Sequence, residues 1–289
     1  MNPLTRRSFI AASVATSACA ALPSWAADAS RKVEPIGLQL YTVREAMKSD
    51  FAGTLAKVAS SGYREVEFAG YFDHSPADVR KLLAANSLTS PSMHVDYPTV
   101  ENKWPETLDV AHALGQSYVI CPWIEESQRK SPDGWKRAAD LFNRAGEASQ
   151  KAGIQFGYHN HTFEFEPAES LGGKLPYDFL LANTDPKLVA FEMDLCWITV
   201  AGKDPLPYFA QYPGRFPLVH VKDWKGQGGK MTEAPQKMAN VGAGSIDWKR
   251  IFAQSQQAGI KHYIVENDEA HSNFDGIRAS YQYLNTFRY

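Results

Sequence analysis

The helical pattern Trp135–Lys151, followed by Ala152-Gly153-Ile154-Gln155-Phe156-Gly157-Tyr158-His159-Asn160-His161, decides the fold. It reads as a helix, a glycine, a short apolar run and a polar end. Gly153 stands where a left-handed residue would cap the helix. Ile154–Tyr158 has the length and composition of a buried strand. His159, Asn160 and His161 then follow at its C-terminal end.

The same unit recurs along the chain. Apolar runs occur at Pro35–Tyr41, Glu65–Phe68, Ser90–Val95, Tyr118–Cys121, Ile154–Tyr158, Leu188–Met193, Phe216–Val221 and Tyr263–Val265. Helical periodicity lies between them, as at Ala52–Ser60, Ala77–Ala85, Pro205–Tyr212 and Trp248–Gln257. Gly62, Gly115 and Gly259 repeat the cap signal. Strands alternating with helices predict an α/β fold with a parallel sheet. Eight such units, in a chain of 289 residues, fit a closed (β/α)₈ barrel of about 250 residues. The first strand-to-helix turn, Tyr41-Thr42-Val43-Arg44, has no glycine fingerprint for a dinucleotide. No linker interrupts the pattern, so residues 33–289 are read as one domain. The longest irregular segment, Asp223–Ala243, follows the seventh run and is expected on the catalytic face.

The N-terminus reads differently. Thr5-Arg6-Arg7-Ser8-Phe9-Ile10 opens an Ala-rich apolar stretch that ends near Leu22, and Ser24-Trp25-Ala26 supplies small residues for cleavage. Residues 1–26 are expected to be a twin-arginine signal peptide, giving a periplasmic or secreted protein. The stretch is too short and Ala-rich for a comfortable membrane span, so no stable membrane insertion is expected. Loss of Arg6 and Arg7 takes the formal charge from −2 to −4. There is no basic run or stripe, which argues against a nucleic-acid partner. Cys121 and Cys196 follow apolar runs and are read as buried free thiols.

In a (β/α)₈ barrel the active site sits at the C-terminal ends of the strands. The residues there are rich in ionisable groups: Glu67, His94, His159, His161, Glu164, Asp194, His220, Lys222, Asp223, Glu266 and Asp268. A lone histidine is usually a satisfied structural residue, and an Asp after a strand often caps the next helix. Four consecutive strand ends, however, each offer a metal-capable group: His159, Asp194, His220 and Glu266. Adjacent strands lie about 4.8 Å apart, so these side chains can converge on one ion. Such mixed N/O donors suit Mn, Co or Zn; Fe and Mg are also open, and Ca is less suited. The expected cofactor is one divalent metal ion.

These residues sit in motifs that carry a wider likeness. They include Gly37-Leu38-Gln39-Leu40-Tyr41-Thr42, Gly62-Tyr63-Arg64-Glu65-Val66-Glu67, Tyr158-His159-Asn160-His161 and Glu192-Met193-Asp194. Val219-His220-Val221-Lys222-Asp223 and Val265-Glu266-Asn267-Asp268 complete the set. Over about Pro35–Tyr289 the chain resembles the sugar phosphate isomerase/epimerase superfamily, the xylose-isomerase-like TIM barrels. That resemblance implies a divalent metal held by Glu, Asp, His and Glu from the last four strands. Asp194, His220 and Glu266 match three of them. The first Glu is replaced, by His159 in the preferred register. A shifted register would put Tyr158 there and align Glu164 with a substrate-contacting carboxylate.

The resemblance further implies an isomerase, epimerase or lyase that abstracts a proton next to the carbonyl of a sugar or keto-sugar. Glu266 and His161 are the candidate catalytic bases. Glu67, His94, Glu164, Trp197 and Lys222 are expected to bind the substrate. With one family glutamate replaced, one-sided elimination or isomerisation is favoured over symmetric epimerisation. Two alternatives stay open. One is a metal-free glycoside hydrolase with carboxylates about 5–10 Å apart. The other is an exported sugar-binding protein on a decayed barrel, with Trp123, Trp197 and Trp224 stacking on sugar. Endonuclease IV shares the fold, but an acidic chain suits DNA poorly. A homo-oligomer is compatible with the fold, though no interface is legible.

Overall fold

Every one of the eight apolar runs becomes a strand, and together they close on themselves. The computed structural model describes residues 31–226, 237–270 and 273–289. The signal expected over residues 1–26, and part of the Asp223–Ala243 segment, lie outside them. The barrel strands are β1 (Ile36–Gln39), β2 (Glu65–Phe68), β3 (Thr89–His94), β4 (Tyr118–Cys121), β5 (Gln155–His159), β6 (Val189–Asp194), β7 (Leu218–Val221) and β10 (His262–Val265). Their order around the closed barrel is β1-β10-β7-β6-β5-β4-β3-β2, and each neighbouring pair is parallel. Two short strands, β8 (Asp223–Trp224) and β9 (Met238–Ala239), pair antiparallel after β7. They form the stem of the segment expected to be irregular.

Strand alternation separates two cores. Side chains on one face, such as Phe156, Tyr158, Phe191, Met193, Val219, Val221 and Val265, join the large cluster shared with the helices. The opposite face fills the barrel. There Tyr118, Ile120, Leu218 and Ile264 form a separate apolar plug. The next inward positions on β7 and β10 are His220 and Glu266, so the plug forms a dry base beneath them.

The helices begin and end where their caps dictate. Ser75, Asp96, Asp204, Asp247 and Asn273 each accept a backbone N–H at a helix start. Gly115 and Gly259 end their helices in the left-handed region, at φ 74° and 83°. The expected helix Trp248–Gln257 is split into Trp248–Phe252 and Ser255–Ala258. Gln254 N–H turns back to the Ile251 carbonyl at 3.0 Å, and the break lets Ser255 Oγ accept from Arg31 at 3.0 Å. Cys121 and Cys196 are buried free thiols. No helix among the described residues is long and apolar enough to cross a membrane.

Candidate active site

On β6, β7 and β10 the inward face passes from apolar residues to polar ones. On β6, Glu192 and then Asp194 follow Ala190 at alternate positions; on β7, His220 follows Leu218; on β10, Glu266 follows Ile264. Register does the rest. His159 pairs with Glu192 and Asp194 with His220 across neighbouring strands. All of these polar side chains are buried.

Asp194 divides its carboxylate between two tasks. Oδ1 accepts the N–H groups of Cys196 and Trp197 at 2.9 and 2.7 Å, capping the helix that follows. Oδ2 makes no aligned hydrogen bond; Lys222 Nζ approaches it at 3.0 Å as an ionic contact. Around Oδ2 stand His159 Nε2 at 3.8 Å and His220 Nδ1 at 3.9 Å. His220 Nδ1 also lies 2.9 Å from Glu266 Oε2. Asp194, His220 and Glu266 thus converge, and His159 meets them through Asp194 Oδ2.

A second group lies against the first. Glu192 Oε2 is 2.7 Å from His94 Nε2, 3.1 Å from His159 Nδ1 and 3.3 Å from His220 Nε2. Glu67 Oε1 is 2.8 Å from His220 Nε2 and 3.0 Å from His94 Nε2, and it accepts from Gln39 Nε2 at 2.7 Å. Donor atoms of Asp194, His220 and Glu266 fall within 4.8 Å of one another, as do those of His94, His159, Glu192 and His220.

The charge balance favours a cation. Five carboxylates (Glu67, Glu192, Asp194, Glu266 and Asp268) face the single ammonium of Lys222 within this ion-pair cluster. Buried charges must be matched, and the imidazoles respond. Burial alone would lower His94 and His220. The carboxylates outweigh it, raising His94 to about 9 and His220 well above its ordinary value. Burial and then Glu67 push Glu192 up to about 7. One oxygen each of Glu67, Glu192 and Asp194 is buried without a hydrogen bond. His159 is held well below its ordinary value, first by burial and then by His220, so it is a neutral imidazole with a lone pair to offer. The unpartnered Oδ2 of Asp194, the neutral imidazole of His159 and an excess of carboxylates over cations, even with His94 and His220 raised, fit a divalent ion.

Above these groups opens a cavity of about 530 Å³, lined by Tyr41, Tyr97, Trp123 and Trp197 with His94, His159, His161, Glu266 and Asp268. His94, His161, Trp197 and Glu266, all expected at the site, are among the residues that line it. Glu67, Glu164 and Lys222, expected to bind the substrate, are not among the residues that line it. Glu67 is spent on Gln39, His94 and His220. Lys222 Nζ is locked between Asp194, Glu266 and Asp268 and held well above its usual value, burial notwithstanding. Glu164 folds back on a short 3₁₀ turn, accepting Tyr158 Oη at 2.5 Å and His161 N–H at 2.9 Å. Tyr158 points to the helix side against Phe142 and Phe191, so the inward residue at the end of β5 is His159. Trp224 is fully buried with Cys196, Trp197 and Val200 and is not among the residues that line this cavity.

Glu192 was not among the expected site residues. The signal for Glu192 was present: an acid in an otherwise apolar strand, two residues before Asp194 and therefore on the same face. Reading only the residues at and beyond each strand end passes over it.

Known proteins place this architecture. A family model described as xylose isomerase-like TIM barrel matches residues 55–287. An inosose dehydratase from Geobacillus thermodenitrificans (strain NG80-2) is 27% identical over 269 residues, 81% of this chain and 88% of the relative. A sugar phosphate isomerase/epimerase from Parabacteroides distasonis superposes with a TM-score of 0.73 at 27% identity, covering 88% of this chain and 95% of that one. The IOLI protein, solved with a bound zinc atom, shares the fold at 13% identity and a TM-score of 0.68, over 88% of this chain and 99% of that one. With the closed eight-stranded barrel, these matches establish that the chain belongs to the xylose isomerase-like TIM barrel family.

Proposed function

We propose that this protein is a divalent-metal-dependent lyase or isomerase that removes a proton next to the carbonyl of a keto-sugar or inosose. The observation that carries the reading is the convergence of Asp194, His220 and Glu266 within 4.8 Å of one another, with His159 Nε2 3.8 Å from Asp194 Oδ2, beside a cavity walled by Trp123 and Trp197. A divalent ion held by these four residues would draw charge from the substrate carbonyl and acidify the neighbouring C–H.

The chain's own groups account for the rest. Burial, and then Lys222, push His161 down to about 3, so the ring is neutral. Its buried Nδ1 has no hydrogen-bond partner. Glu266 is ionised: burial would raise it, but Lys222 and His220 hold it well below the carboxylate range. Both therefore stand in the cavity in the proton-free form that a general base needs. The tryptophans cover the apolar faces of a sugar ring and exclude water, which strengthens every charge interaction beneath. In an elimination, the C–H electron pair becomes the new double bond. The β-hydroxyl leaves with its bonding pair and takes up a proton, giving water. The inosose dehydratase relatives and the imidazole of His159, standing where a second glutamate is expected, favour this one-sided course over symmetric epimerisation.

The test is solvent exchange. Metal-loaded protein in D₂O, offered ketoses, keto-glycosides and inososes, should exchange or lose one C–H signal next to the carbonyl by NMR. Product formed with no C–H exchange or loss, as in plain glycosidic hydrolysis, contradicts the reading. Exchange that survives Glu266→Gln but not His161→Ala assigns the base to His161.

A further inference from the structure

We infer that Glu192 and Glu67, tied together by His94, are positioning residues that aim His159 and His220 at the ion. The inference rests on the ion-site reading above and adds the layer that supports it.

Both imidazoles present one nitrogen to each side. His159 turns Nε2 toward Asp194 Oδ2 at 3.8 Å and Nδ1 toward Glu192 Oε2 at 3.1 Å. His220 does the converse. Its Nδ1 faces Glu266 Oε2 at 2.9 Å, and its Nε2 faces Glu67 Oε1 at 2.8 Å. An imidazole that binds a metal through one nitrogen commonly gives its other N–H to a carboxylate, which fixes tautomer and ring orientation. Two histidines here meet that pattern with opposite nitrogens. The carboxylates are themselves held. Gln39 Nε2 donates to Glu67 Oε1 at 2.7 Å. His94 Nε2 lies 2.7 Å from Glu192 Oε2 and 3.0 Å from Glu67 Oε1, so one ring spans both anions. The His94 ring also stacks on His220, with centroids 5.4 Å apart and planes 8° apart.

Strand geometry explains why the support sits there. Glu192 is the direct register partner of His159, and it lies two residues before Asp194 on the same inward face. One strand therefore supplies both a ligand and the anion behind the neighbouring ligand. The donors of His94, His159, Glu192 and His220 are also close enough to hold an ion of their own, which would make the deeper layer a second metal site. The measurement separates the two roles.

Titrate the full chain with Mn²⁺ and Zn²⁺, and measure metal content after gel filtration, for wild type, Glu192→Gln and Asp194→Asn. Positioning predicts one ion per chain in wild type. It predicts one ion in Glu192→Gln with affinity weakened about 10–100-fold, and loss of most binding in Asp194→Asn. In zinc-loaded wild type, ¹⁵N-histidine NMR should show His159 protonated on Nδ1 and His220 protonated on Nε2. That readout needs no variant, so it decides the matter even if Glu192→Gln does not fold. Two ions in wild type with one lost in Glu192→Gln would overturn the inference. So would unchanged affinity in Glu192→Gln, or the opposite tautomers in wild type. Wild-type affinity in Asp194→Asn would instead overturn the ion-site reading itself.

Discussion

Asp194 carries two roles in one side chain. Its Oδ1 serves the backbone as a helix cap, while Oδ2 serves the site. The helix-cap reading of that residue holds, and it leaves Oδ2 available to the proposed ion. Glu164 is a residue whose role moved. Buried beneath Tyr158 and the His161 N–H, it is raised to about 7, first by burial. The fold then favours its protonated form over that of the unfolded chain. Its contribution to stability is present below its ordinary pKa, near 4.5, and is lost as pH rises toward 7. Across that window the loss amounts to at most about 3 kcal/mol. The melting temperature of wild type should therefore fall more steeply from pH 5 to pH 7.5 than that of Glu164→Gln. Parallel profiles would show that Glu164 is not protonated in the fold. At this scale the sequence disclosed which residue types ring the barrel mouth but not their depth. Glu67 and Lys222 point inward as alternation requires, yet whether an inward group reaches the cavity depends on the stagger of neighbouring strands. That is a non-local property, whereas Glu192 carried a local signal, an acid two residues before Asp194 on the same face.

The elements were more legible than the residues. Glu65–Phe68 and Tyr118–Cys121 have the bounds read from the sequence, and the others differ by a few residues. Apolar runs bounded by glycine caps are local signals, and local signals survive into the fold. Gly153 and Gly259 permit a quantitative check. Both have positive φ, 73° and 83°. A Cβ on Gly153 would meet nothing within 4 Å, whereas one on Gly259 would come within 2.7 Å of Gly214 Cα. Gly153→Ala should cost about 1 kcal/mol of unfolding free energy, the left-handed penalty alone. Gly259→Ala should cost more, by about 1–3 kcal/mol for the backbone clash. Urea unfolding of the two variants decides this, and equal losses would contradict the packing account. The split of Trp248–Gln257 was not legible because it answers to Arg31, more than two hundred residues away.

At the scale of the whole molecule, closure of the barrel was readable from the count of units, and the cavity follows from closure. Which aromatics line it was only partly readable. Trp123 and Trp197 reach the cavity, while Trp224 is claimed by a small core of its own. Export is a further proposal at this scale. Arg6 and Arg7 stand before an Ala-rich apolar stretch, and replacing both with lysine should abolish periplasmic accumulation in fractionated cells. Unchanged periplasmic yield would contradict a twin-arginine route. The account as a whole turns on one ion held among the last four barrel strands. A crystal structure of the Mn²⁺-loaded protein, with an anomalous difference map, tests this most directly. The predicted result is one strong peak about 2.0–2.2 Å from donor atoms of His159, Asp194, His220 and Glu266. No peak there in metal-loaded protein, or a peak held by His94 and Glu192 in its place, would contradict it.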